Sequence, residues 1–477
     1  MRGKGDRAAV EHLTLMPAVR QLEMLRAGEL SVEELAEAHI RQIERLEPRL
    51  NVFADFDAER VRVQARRLDA VKENRGPLHG LPVTVKSSIA TAGLKCEIGS
   101  LLCEGDVPSE DAVVVARLRA AGALILGTTN CPEFLMAYET ANLLHGRTCN
   151  PWDVDRTPGG SSGGESAAIA AGMSAGGLGS DSGGSVRVPA HFTGICSLKP
   201  TPGRVPGDGH LPPCVGPFST LGAIGPMART MQDVAQLFRV LSGQDRHDPA
   251  SAPVALREPG LEELRTQTIG VFEDDGLVPV TAETRAAVQA AVLVLRDAGF
   301  RVEPFRPSTL EPLRRLWRKF FVQCGAMFYA PMIRGREDRL SPVFCEFLRI
   351  AEAQPPLTAT TLLEAWAELD VLRSKTLAEM DEHPLLLCPV ASVPAFRHGE
   401  RSWVIDGRSV DYLDAVRHTQ WFNVLAAPGA VVPVGSSPEG LPIGVQVVAR
   451  PFEDEITLGV ASIIDAAFGY RAPTMAT

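Results

Sequence analysis

Gly159-Gly-Ser-Ser-Gly-Gly-Glu-Ser-Ala-Ala-Ile-Ala-Ala-Gly-Met-Ser-Ala-Gly-Gly-Leu-Gly-Ser-Asp-Ser-Gly-Gly-Ser185 holds ten glycines and seven serines in 27 residues. Such a composition suits either a flexible linker or a site that needs close backbone approach. A linker has no apolar face. Here Ala167-Ala-Ile-Ala-Ala171 and Leu178 supply enough for a short buried helix between two glycine-rich turns. Glycine frees backbone N–H groups to approach a ligand, and serine sets hydroxyls beside them. The stretch reads as a site, and the elements around it decide what carries it.

Upstream, Leu81-Pro-Val-Thr-Val-Lys86 and Leu124-Ile-Leu-Gly127 are short β-branched runs separated by a helical pattern from Asp111 to Ala121. Downstream, Thr268-Ile-Gly-Val-Phe272, a helix over 281–298 and Arg301-Val-Glu-Pro304 repeat the alternation. Leu385-Leu-Leu-Cys-Pro389, Ala430-Val-Val-Pro-Val434 and Gly444-Val-Gln-Val-Val448 follow, before a last helix. Strands alternating with helices predict an α/β sheet. Residues 8–72 carry helix-period apolar positions, with Ser31-Val-Glu-Glu34 as a capping box, and predict an N-terminal helical layer over residues 1–75.

The 477 residues carry 48 Lys+Arg against 58 Asp+Glu, a net charge of −10, and no basic run of five or more, so nucleic acid is excluded as an expected partner. Nine scattered cysteines without a C-x-x-C pair read as reduced thiols of a cytoplasmic protein, with neither a disulfide framework nor a metal site. The charged opening Met1 to Arg7 precedes no apolar leader-like run. The apolar stretch from Phe320 to Ile333 is too short for a transmembrane segment and reads as core or the wall of a greasy pocket.

Three readings of the nucleophile compete. Gly159-Gly-Ser-Ser-Gly163 fits the G-x-S-x-G elbow of a serine hydrolase of another fold, with Ser161 attacking. That elbow needs a strand before it, and Asn150-Pro-Trp-Asp-Val-Asp-Arg-Thr-Pro158, with two prolines and three charges, is a poor central strand. Asp181-Ser182-Gly183-Gly184 looks like the nucleophile segment of chymotrypsin-type proteases but lacks paired cysteines. The third reading takes Lys86, Ser161 and Ser185 together.

For that third reading, several blocks agree in order. Gly159–Gly164, Gly179-Ser-Asp-Ser-Gly-Gly-Ser-Val-Arg-Val-Pro-Ala190 and Gly194-Ile-Cys-Ser-Leu-Lys-Pro200 resemble the signature of the amidase signature family. Gly80-Leu-Pro-Val-Thr-Val-Lys86, Gly127-Thr-Thr-Asn-Cys-Pro-Glu133 and Gly440-Leu-Pro-Ile-Gly-Val-Gln446 are similar to its flanking blocks. The resemblance implies a mixed β-sheet sandwiched between helices. It implies one catalytic domain over residues 76–477, with a mostly helical variable region at about 305–385. It also implies a Ser-cisSer-Lys triad in which Ser185 is the nucleophile, Ser161 the bridging serine in a cis peptide and Lys86 the base. The oxyanion hole falls on the backbone N–H groups of Ser182, Gly183, Gly184 and Ser185.

No metal or organic cofactor is implied. The expected activity is hydrolysis of small neutral amides, with carbamates and esters alongside, by a monomer or homodimer. Two positions depart from the usual pattern. Ser87 stands where relatives usually carry an acidic residue, and Glu165 is more like the fatty acid amide hydrolase and acetamidase branch than the tRNA amidotransferase branch. Glu165 therefore favours a stand-alone hydrolase, with the amidase component of a glutamine-dependent transamidating complex as the alternative.

Physically, a serine needs a base to take its proton, and a lysine serves only when held neutral. Burial after the apolar run Val83-Thr-Val85 is expected to disfavour the Lys86 ammonium. Arg187 is expected to pin the loop by pairing with Asp181, and His191 to pack or hydrogen-bond. Met136 and Tyr138 align with a segment that lines the substrate channel in relatives, and the aromatics from Trp317 to Tyr329 are candidates for a pocket wall.

Overall fold

The computed structural model describes residues 13–71 and 76–477. Met1 to Arg7, expected to be free of a leader, and the end of the N-terminal layer at residue 75 lie outside the described residues. Among these residues, eleven strands form one sheet in the order Phe53–Phe56, Leu124–Thr129, Pro82–Lys86, Gly176–Asp181, Ala223–Ala228, Cys196–Lys199, Gly429–Ser436, Pro442–Ala449, Leu385–Pro389, Ile269–Val271 and Val302–Pro304. Pro82–Lys86 runs parallel to both of its neighbours, whereas Gly176–Asp181 and Ala223–Ala228 are antiparallel. The sheet is mixed, with helices on both faces, as expected.

Strands buried on both faces need apolar residues throughout, which is why Leu385–Pro389 and Pro442–Ala449 are visible in the sequence as continuous runs. Pro433 sits in a strand interior only because the ladder there is bulged between Pro433 and Gly435. The expected helices appear within two residues of their bounds, as Val113–Ala120 and Ala282–Asp297.

Side chains alternate along a strand. Val83 and Val85 join Ile125, Leu178 and Val445 in one core with the helices Val113–Ala120, Met231–Leu241, Ala282–Asp297 and Asp454–Phe468. Thr84 and Lys86 therefore face the opposite side, where the helix Gly163–Ala170 lies. The N-terminal helices pack there too: Leu35, Ile43 and Val61 share a cluster with Leu124, Leu126, Ala167 and Ala168. Ser31 and Glu34 form the expected capping box.

Gly176–Asp181 corrects the expectation of a glycine-rich turn, because it is a strand in the middle of the sheet. Glycine is a weak strand former, yet a Cβ at Gly177 would lie 1.9 Å from Glu165 Oε1. Absence of side chains lets the helix Gly163–Ala170 settle directly on the sheet.

The variable region is mostly helical, with Leu310–Trp317, Cys324–Ile333, Pro342–Glu352 and Ala359–Glu379. Arg318–Gln323 joins the first two in a widened π turn, a device often found beside functional sites. Trp317, Phe320, Tyr329 and Phe344 pack with Phe134 and Met136. No helix of the described residues is long and apolar enough to cross a membrane.

Candidate active site

Lys86 ends its strand fully buried, and Nζ donates to Ser161 Oγ at 2.6 Å and to Ser180 Oγ at 3.2 Å. Burial pushes its ammonium down from 10.5 to about 8, against opposing pulls from Cys131, Asp181 and Glu165. Ser87, the departure from the usual acidic residue, contacts the Cys131 thiol at 3.3 Å and puts no carboxylate beside the amine.

Ser161 lies in the loop that enters the helix Gly163–Ala170, and the Gly160–Ser161 peptide bond is cis. Residues 151–158 are turns and loop, so no strand feeds an elbow at Ser161. The Ser162 N–H donates to the Ser185 carbonyl at 3.2 Å and ties the two serine loops together. Ser161 and Ser185 line the same chamber, of about 380 Å³, with Ser180, Ser182 and His210.

The loop Ser182 to Ser185 is held by its carbonyls. The Ser182 carbonyl accepts from Trp317 Nε1 at 2.9 Å, and the Gly183 carbonyl from Tyr138 Oη at 2.8 Å and Thr419 Oγ1 at 2.6 Å. The Gly184 carbonyl accepts from the Val188 N–H at 2.7 Å. In a trans peptide the following N–H points away from the carbonyl, so these anchors set the directions of the donors.

Gly184 departs from the expected oxyanion set. Its N–H is committed to Asp181 Oδ1 at 2.8 Å, at a φ of +126° that a side chain would strain. The N–H groups of Ser182, Gly183 and Ser185 have no protein acceptor among the described residues.

Asp181 and Arg187 form the expected ion pair, 3.0 Å apart and fully buried. Asn423 donates to Asp181 Oδ1 at 2.9 Å, and Arg187 reaches Gln446 Oε1 at 3.2 Å. Burial alone would raise the Asp181 carboxyl, but the Arg187 guanidinium holds it well below the usual carboxylate range. The pair thus anchors the loop that bears Ser185 to the helix Arg417–Val424 and the strand Pro442–Ala449. His191 is a structural bridge, with Nδ1 accepting from the Gly444 N–H at 2.8 Å.

Glu165 joins the helix after Ser161 to the strand that carries Lys86. Its carboxylate accepts from Thr84 Oγ1 and, at 2.9 Å, from Thr129 Oγ1. Burial raises its carboxyl to about 8.

Ser185 also borders a second, larger chamber of about 530 Å³, walled by Met136, Tyr138, Trp317, Phe321 and Phe347. Trp317 and Phe321 stack there, 4.8 Å apart. Both chambers meet at Ser185, and neither has a lysine or arginine in its wall among the described residues.

The sequence matches the Amidase family over residues 34–458. The chain belongs to the amidase family. This amidase-family chain is 35% identical to the GatA-type component, the A chain, of the glutamyl-tRNA(Gln) amidotransferase of Roseiflexus castenholzii (strain DSM 13941 / HLO8), over 92% of this chain and 93% of that one. Among solved structures it resembles a chain from a vestigial protein complex that bears on the origins of an s-triazine catabolic enzyme. That likeness has a TM-score of 0.87 at 29% identity and covers 96% of this chain and 100% of that one. It also resembles 6-aminohexanoate cyclic dimer hydrolase with bound substrate, with a TM-score of 0.85 at 28% identity over 97% and 100% of the two chains. The curated relative belongs to the amidotransferase branch that the Glu165 reading sets aside, so Glu165 alone does not fix the branch.

Several residues of the site escape sequence reading. Gln446 stands inside a block that resembles the family pattern, and its position there is the signal that could have found it. Thr419, Asn423 and His210 lie outside every motif, and only the folded chain brings them to the serine loops.

Proposed function

We propose that this amidase-family enzyme hydrolyses small neutral amides through an acyl-Ser185 intermediate, with Ser161 as the proton bridge and Lys86 as the base. The observation that carries this reading is the buried Lys86 amine on Ser161 Oγ, in a chamber whose wall Ser185 shares. Neutral Lys86 draws a proton through Ser161 from Ser185, which attacks the substrate carbonyl. The free N–H groups of Ser182, Gly183 and Ser185 receive the oxyanion; such donors are worth roughly 3–4 kcal/mol each when removed singly. Ser161 returns the proton to the departing amine, which leaves only when protonated. Water then attacks the acyl-enzyme by the reverse route.

The larger chamber suits an apolar aryl or alkyl acyl group. Carbamates and esters present the same carbonyl to the same groups, so we include them in the substrate range. Nine free thiols suit a cytoplasmic enzyme.

The 35% identity to an amidotransferase component favours a second reading, release of ammonia from glutamine for a partner. Glutamine carries an α-carboxylate that calls for a cationic side chain, and the chamber walls supply none among the described residues. Neutral amides are the better match. Assaying purified protein on glutamine and on a neutral aryl amide of equal acyl length separates the two: the amidase reading predicts turnover of the aryl amide alone.

A further inference from the structure

His210 takes no part in the chemistry above, yet its ring lines the chamber that holds Ser161 and Ser185. Its segment is fixed in place: the Ala90 N–H donates to the Gly209 carbonyl at 2.9 Å, and the Leu211 N–H to the Ser88 carbonyl at 2.7 Å. Nδ1 lies 2.8 Å from the Pro212 carbonyl. A carbonyl only accepts, so Nδ1 carries the proton and Nε2 presents a lone pair. The near polar atom, Ser88 Oγ, is 3.5 Å from Nε2, at the outer limit of a hydrogen bond. Burial, reinforced by Lys86, pushes the imidazolium down to about 4, so the ring is neutral wherever Lys86 works as a base.

Position in the site assigns the chamber's role. Ser161 must protonate the departing nitrogen, so the leaving group lies on the Ser161 side of Ser185. Ser161 lines the smaller chamber, with His210, and is missing from the wall of the larger one. On the reading given under Proposed function, the acyl group then fills the larger chamber and the amine the smaller.

We propose that His210 is a specificity-determining residue for the leaving group, its Nε2 accepting a hydrogen bond from a hydroxyl or N–H carried by the departing amine. The preferred substrates join an apolar acyl group to a small amine with a hydrogen-bond donor.

The test compares two amides of 4-phenylbutanoic acid that differ by one donor, the 3-hydroxypropyl and the 3-methoxypropyl amide. Wild-type protein is expected to favour the hydroxyl amide by about five- to tenfold in kcat/KM, the usual range for one hydrogen bond. His210→Phe is expected to bring that ratio to about one, and His210→Gln, which keeps an acceptor, to restore part of it. The ratio is internal to each variant, so a general loss of activity or stability does not imitate the effect. An unchanged ratio in His210→Phe, or equal rates in wild type, overturns the proposal while leaving the amidase reading intact. A wild type that hydrolyses neither amide and whose Ser185 resists a fluorophosphonate overturns the amidase reading, and this proposal with it.

Discussion

Lys86 Nζ and Ser161 Oγ are 2.6 Å apart inside a fully buried pocket of the sheet. One element is a strand end and the other a loop ahead of a helix, and Glu165 ties the two through Thr84 and Thr129. A base that must be neutral is thus kept dry and kept on its hydroxyl partner.

The pH profile follows from that burial. Lys86 acts only when deprotonated, and its ammonium is held at about 8. The kcat/KM for a neutral amide is expected to climb with pH through an apparent pKa near that value. Ser87→Asp restores a carboxylate beside the amine, favours the ammonium and moves the rising limb to higher pH. An unmoved limb in Ser87→Asp contradicts the assignment of the limb to Lys86.

Amides and esters should part company in Lys86→Ala. An amine leaves only after protonation, whereas an activated alkoxide leaves unaided. Kinetics on a matched anilide and p-nitrophenyl ester are expected to show an amide loss of about a thousandfold or more, within the range of general acid–base catalysis. The ester loss is expected to be at least tenfold smaller. Equal losses count against a relayed proton.

Much of this was legible before the fold. The strand Leu385–Pro389, the capping box at Ser31 and the pairing of Arg187 with Asp181 all follow from local pattern or charge. The strand Gly176–Asp181 did not, because propensity counts glycine against a strand and cannot see Glu165 pressed against Gly177. Gly184 escaped for a similar reason. Backbone donors look alike in a sequence, and only the position of the Asp181 carboxylate shows which one is already taken. The chamber walls combine residues more than a hundred positions apart, beyond the reach of any periodicity.

Ser182 tests the backbone argument. Only its N–H is proposed to act, and its carbonyl is anchored by Trp317. Ser182→Ala is expected to retain kcat within about tenfold of wild type, whereas Ser185→Ala loses turnover. A Ser182→Ala enzyme as inert as Ser185→Ala revives the protease-like reading of Asp181 to Gly184.

The anchor of the loop should be measurable as stability. Arg187→Leu leaves the Asp181 carboxylate buried without its guanidinium, a change that typically costs about 3–5 kcal/mol. Urea unfolding followed by tryptophan fluorescence is expected to show a midpoint well below that of wild type. A midpoint within error of wild type would falsify the anchoring role.

The central claim is that Ser185 is the nucleophile and that Lys86 activates it through Ser161. Intact-mass spectrometry after fluorophosphonate treatment, with peptide mapping, tests it without knowledge of the natural substrate. The expected result is one adduct, on Ser185, that forms far more slowly in Lys86→Ala; an adduct on Ser161 or Ser182, or labelling of Ser185 that ignores Lys86, contradicts it.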